Sequence, residues 1–172
     1  MGANWNRLIR KVHYWCSIVV FAPLLVILFS GMVLQFKKQV AWIQPTTLER
    51  PGGVPEVTFS QVLEAAKSAP EAGIGGWGDI GRLDVRPGKG IVKIRGKNNW
   101  EIQIDHRTGE VLQVAYRRSD VIESIHDGSF FHAKAKPWLF FSAGVGLLLL
   151  CITGLYMFIV PLSVRRKRRA AA

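Results

Sequence analysis

From Tyr14 to Phe36 the chain runs for 23 residues without a charged side chain, closed by Arg10 and Lys11 on one side and by Lys37 and Lys38 on the other. At ~1.5 Å of rise per residue this makes a helix of roughly 34 Å, enough to cross the ~30 Å hydrocarbon of a bilayer. A secretory signal also starts basic and turns apolar, but its apolar core runs only about 7–15 residues before a small-x-small cleavage site. No such site follows Leu34. Pro23 is compatible with a span, because neighbouring groups in a membrane protein satisfy the carbonyl that proline frees. The run reads as a retained transmembrane helix. A second uncharged run, Pro137 to Val160, has 24 residues and is followed by Arg165, Arg166, Lys167, Arg168 and Arg169.

Charge is distributed unevenly along the chain. The formal net charge is +11, yet all twelve Asp and Glu lie between the two runs. Fifteen Lys and Arg accompany them, so that segment carries +3, and the other +8 sits on Arg7, Arg10, Lys11 and the five-residue cluster at 165–169. Short basic tails beside spans are the positive-inside pattern. They read as topology anchors that also meet anionic lipid, and not as a nucleic-acid surface. The pattern predicts a two-pass membrane protein with both termini cytoplasmic and the central domain facing the periplasm or exterior.

The chain then divides into a basic tail (1–13), a first span (14–36), a central domain (37–118), a juxtamembrane helix and connector (119–136), a second span (137–160) and a second basic tail (161–172). Cys16 and Cys151 fall inside the spans. In antiparallel helices they differ by roughly 10 Å in depth, which disfavours a disulfide. Ser30, Gly31, Ser142, Gly144, Gly146, Thr153 and Gly154 are small residues that let spans approach closely. Such packing serves a helix pair or a homodimer equally.

After Trp42, the prolines and glycines at 45–55 read as a linker. Thr58 and Gln61 form a capping-box pattern, and Val62, Leu63 and Ala66 give the helix behind it a narrow apolar face. Ile80 to Val85, Val92 to Arg95, Trp100 to Asp105 and Val111 to Tyr116 read as strands, the second and third with clean alternation. The expected fold class is an α+β membrane protein: two antiparallel transmembrane helices flanking a small helix-plus-antiparallel-sheet domain. The sheet is expected to bury one face and wet the other. Trp77 and Trp100 read as core residues, and His106 as part of an exposed turn. So small a core leans on the membrane or a partner.

No nucleophile motif, CxxC, HExxH, phosphate loop or EF-hand spacing is present. No catalytic residue and no metal site is assigned.

His13-Tyr14-Trp15, opening a span that ends Leu28-Phe29-Ser30-Gly31, resembles the PepSY-associated transmembrane helix family. So does Ile125-His126-Asp127-Gly128, followed by a span ending Ile152-Thr153-Gly154-Leu155. Trp100 to Asp105 with Thr108-Gly109-Glu110-Val111 is similar to the strand-turn-strand of a PepSY domain. The resemblance implies a bacterial inner-membrane protein with a PepSY module outside. Its larger four-span relatives resemble ferrisiderophore reductases, which hold b-type haem on histidines. On that resemblance His13, His126 and His132 are the candidate haem ligands. This chain has two spans, and 17 residues before Thr153 stands Lys136, where His13 stands 17 before Ser30.

Two functions follow. One is a non-enzymatic accessory protein whose periplasmic domain meets an envelope partner in iron or metal (siderophore) uptake. The alternative is a dimeric b-type haem protein for electron transfer to a ferric chelate.

Overall fold

The computed structural model describes residues 3–132, 134 and 136–170. It comprises two compact units: Met32–Glu123 forms one, and the chain before and after it forms the other.

In the second of these units, α1 (Ala3–Gln35) and α4 (Phe141–Ala170) are the long helices, and a wide turn at Lys136–Phe140 leads into α4. Helices apolar on every side need an apolar surrounding. Here protein supplies little of it, covering 11% of the apolar window of α1 and 6% of that of α4. A soluble core helix would be mostly covered. Pro23 and Pro161 lie inside the two helices. Each removes one amide and leaves the carbonyl four residues earlier without its helical donor.

In the Met32–Glu123 unit, α2 (Phe59–Lys67) begins as its sequence dictates. The Thr58 hydroxyl accepts from the Gln61 amide at 3.2 Å, and the Gln61 side chain accepts from the Thr58 amide at 2.8 Å. Four strands follow: β1 (Ile80–Arg86), β2 (Ile91–Gly96), β3 (Trp100–Asp105) and β4 (Val111–Tyr116). They pair in sequence order as an antiparallel meander, with Val92 opposite Ile104 and Ile94 opposite Ile102. Those four side chains meet Val62, Ala65 and Ala66 of α2 and Ala69, Ala72 and Ile74 beyond it. Each buried Val or Ile contributes about 1.5–3 kcal/mol. α3 (Arg118–Asp127) starts in this unit and ends at Gly128, whose φ of +83° suits glycine.

Three expectations fail in this unit. The polar face of the sheet is not wet: Lys93, Glu101 and Gln103 are all at most 1% exposed. The segment read as a linker is what covers it. The Gln103 side chain donates to the Thr46 carbonyl at 2.8 Å and accepts from the Leu48 amide at 2.9 Å. Farther along, the Arg50 amide donates to the Lys89 carbonyl at 2.9 Å. Gly90, at φ +64°, passes so close beneath this strap that a Cβ would lie 2.5 Å from the Pro51 carbonyl oxygen.

His106 is likewise fully buried, not in an exposed turn. Its ring Nε2 lies 3.2 Å from the Pro51 carbonyl, its amide donates to Gly90, and its carbonyl accepts from Glu56 and Val57. Finally, Trp77 is not core. It is 44% exposed and stands edge-on to the exposed Phe59, whereas Trp100 does pack on the core and against Tyr116.

Candidate functional site

The two runs of residues singled out by chemistry and by packing meet each other. His13 on α1 reaches Thr153 on α4, Nδ1 to Oγ1 at 2.8 Å. His126, on the last turn of α3, reaches Ser30 near the other end of α1, Nδ1 to Oγ at 3.0 Å, and the Ile27 carbonyl at 3.1 Å. One histidine–hydroxyl contact thus joins α1 to α4 and the other joins α3 to α1.

The residue after each hydroxyl makes room for the ring. A Cβ on Gly31 would lie 3.2 Å from His126 Cε1, and one on Gly154 would lie 3.6 Å from His13 Cε1. Between the clasps, a Cβ on Gly146 would collide with Val20. Gly144 has open space instead, and Ser142 spends its hydroxyl on the Trp138 carbonyl of its own turn.

Donor and acceptor roles follow from the other bonds. The Thr153 hydroxyl donates its single proton to the Leu149 carbonyl at 2.7 Å, so it accepts from His13. A carbonyl only accepts, so His126 Nδ1, facing Ile27, also carries the proton. With Nδ1 so engaged, Nε2 of each ring has no hydrogen-bond partner among the described residues.

Taken singly, each imidazole has the donor set of an axial ligand, since ligating histidines donate their second nitrogen to an oxygen. A haem held by two histidines needs both on one ring. Ser30, where His126 sits, is 17 residues beyond His13 on the same helix, about 26 Å of rise. One chain therefore does not fit such a haem. His132 lies in an exposed turn, where its Nδ1 accepts from the Lys134 amide at 3.0 Å.

The second constellation is in the Met32–Glu123 unit and was not singled out by motif. Glu101, fully buried on β3, takes Lys93 at 2.9 Å, Arg117 at 2.7 Å, Arg95 at 3.4 Å and the Gln103 amide at 2.9 Å. Arg117 also grips Asp120 at 3.0 Å, and Asp84 lies 2.8 Å from Arg86 and 3.9 Å from Arg95. Burial pushes the Lys93 ammonium down, against the Glu101 bond that holds it up. Burial also works to lower Arg117, but Asp120 and Glu101 outweigh it and leave it raised. Asp84 is held low by the hydrogen bond from Arg86. A buried network of this kind organises structure, although Arg95 Nε within it has no hydrogen-bond partner among the described residues. Alternation alone conceals it, since it places these residues on the face that a two-layer domain leaves to water.

Arg7, Arg10 and Lys11 are exposed, as are Arg166 and Arg169; the side chains of Arg165, Lys167 and Arg168 lie outside the described residues. Among the described residues no group of three or more His, Cys, Asp or Glu is placed to hold a metal ion.

Comparison with known proteins agrees with this architecture. The family model of the PepSY-associated TM region matches residues 10–170. No curated protein and no solved structure matches the chain. With two long apolar helices flanking a four-stranded antiparallel sheet and its helix, this membrane protein belongs to the PepSY-associated TM region family.

Proposed function

We propose that this chain is a non-enzymatic accessory protein of the bacterial inner membrane, with both termini cytoplasmic and the sheet domain periplasmic, where it meets an envelope partner in iron or metal (siderophore) uptake. The observation that carries the reading is the double clasp. His13 and His126 are committed to Thr153 and Ser30, which makes them tools of helix pairing within one chain. The buried Glu101 network points the same way, because its charges are spent internally on rigidity. Orientation is supported by the basic tails, since eight Lys and Arg and no carboxylate lie before residue 37 and after residue 136. The link to iron rests on kinship with the larger reductase-like relatives.

A second reading is favoured by one observation, the bare Nε2 on each clasp histidine. Two copies of the chain would supply two His13 rings at one end and two His126 rings at the other. Haem would then add one-electron chemistry; the chain's own residues would hold the rings in their tautomers.

The visible spectrum of the full chain, expressed in a haem-sufficient host and extracted in mild detergent, separates the two. The accessory reading expects a colourless, folded protein. A stoichiometric Soret band that shifts with dithionite, and is lost in His13→Ala or His126→Ala, would overturn it in favour of the dimer.

A further inference from the structure

Where α1 begins and α4 ends, the two helices form an open groove of about 230 Å³, lined by Asn6, Arg10, Tyr156, Met157, Val160 and Pro161. The Tyr156 hydroxyl donates to Asn6 Oδ1 at 2.9 Å, which ties the two helices together along one wall. The floor is apolar, formed by Met157, Val160 and Pro161. Pro161 has no amide, so the Met157 carbonyl beside the groove lacks its helical donor.

The charge at this end is unbalanced. Arg10 has no ion pair or hydrogen bond among the described residues, and the sequence places no Asp or Glu before Glu49 or after Asp127. Eight Lys and Arg stand on these two chain ends. Arg10 is exposed, and no carboxylate of the described residues of α1 and α4 faces it, so an external anion can reach it. An apolar floor under a lone cation, on helices whose sides face lipid, has the two-part character of a phospholipid.

We propose that this groove is a binding site for one anionic phospholipid, with its phosphate on Arg10 and its acyl chains along Met157, Val160 and Pro161. This goes beyond a basic tail resting on a charged surface, because it assigns the contact to one residue and one cleft. It is independent of the partner and haem readings above.

The test reconstitutes the full chain in nanodiscs of equal parts phosphatidylglycerol and phosphatidylcholine, then counts retained lipids by native mass spectrometry. Phosphatidylglycerol is expected to be enriched about five-fold over phosphatidylcholine, the effect of one cation near an anionic headgroup. Arg10→Gln should bring the ratio back to that of the membrane. Lys11→Gln removes the same charge at the next position, outside the groove, and should keep most of the enrichment. Met157→Trp fills the floor without touching charge and should lose the lipid. Enrichment that survives Arg10→Gln, or falls equally in Arg10→Gln and Lys11→Gln, would overturn the site. So would inorganic phosphate that displaces the lipid at millimolar level, since the groove would then be a free-anion site.

Discussion

The sheet domain and the helix pair solve opposite problems with the same residue types. In the Met32–Glu123 unit the protein itself excludes water, so Lys93, Glu101 and Arg117 must find each other inside. In the helix pair, apolar side chains such as Phe21, Phe29, Leu148 and Phe158 remain exposed, and lipid completes the structure. Two of the buried residues there are Ser30 and Thr153, the hydroxyls of the clasps. Burial therefore marks a core in one region, and in the other both close helix packing at Val20 and Ala143 and the polar contacts of the clasps. The lesson is energetic. A buried ion pair in the domain is costly to break, whereas an interhelical hydrogen bond in a membrane is worth little more than in water.

The largest expected effect tests the domain side of that contrast. Glu101→Ala leaves Lys93 and Arg117 buried without their shared carboxylate, a loss of about 3–5 kcal/mol. For so small a unit this removes much of its stability, read as a collapse of amide protection in β2 and β3 while α1 and α4 stay protected. Glu49→Ala, which breaks an exposed pair with Lys89, should leave protection unchanged. If both substitutions behave alike, the buried network is not what holds the polar face.

On the helix side, packing should outweigh bonding. Gly146→Leu drives a side chain into Val20 and should cost about 1–3 kcal/mol by overpacking. The reading is faster steric trapping of the separated helices in bicelles, compared with Gly144→Leu. That position is open and should be near neutral. Equal effects at the two glycines would remove the Val20 contact as the reason.

The clasps come next. A double-mutant cycle of His13→Ala with Thr153→Val should give a coupling of about 0.6 kcal/mol, and no more than about 1.7. The cycle of His126→Ala with Ser30→Ala should match it. Strict additivity at either end would mean that the observed bond carries no energy there.

How much of this was legible in the sequence differs between the two regions for the same reason. Uninterrupted apolarity from Tyr14 to Phe36 needs no partner to be interpreted, and neither does the Thr58–Gln61 cap or the alternation of Val92, Ile94, Ile102 and Ile104. These signals are local. What stayed hidden is set by contacts across tens of residues: the strap from Gln44 to Gly53 over Gln103, the burial of His106 under Pro51, and the pairing of His13 with Thr153. A proline-rich linker and a strap share the same composition. Only the second lends its carbonyls to a sheet. The clasps did leave one trace, the repeated hydroxyl–glycine doublets Ser30-Gly31 and Thr153-Gly154. On sequence alone the doublets read as packing residues and the histidines as ligands, although each doublet is the seat of a histidine.

The smallest effect concerns an ion pair beyond the clasps, between the end of α3 and the turn into α4. The Lys136 ammonium at 2.7 Å, with the Ser129 hydroxyl and amide, holds the Asp127 carboxyl down to about 2, from an ordinary value of 3.8. A carboxylate lowered by folding stabilises the fold above its unfolded pKa and loses that contribution as pH falls to the folded one. The contact should thus be constant from neutral pH to about 4 and fade between about 4 and 2. Both groups are partly exposed, so solvent and salt screen the pair and the change is small. Amide exchange of the Asp127–Phe131 turn in acid, compared between the native chain and Asp127→Asn, isolates it from the other carboxylates. The native turn should lose protection between about 4 and 2, while the asparagine variant starts less protected and stays flat. A parallel acid slope in both would place the transition elsewhere, in Asp84 or Asp105, which their own partners also hold low. Acid sensitivity would then be a property of the sheet domain alone, and the helix pair would be the region indifferent to pH.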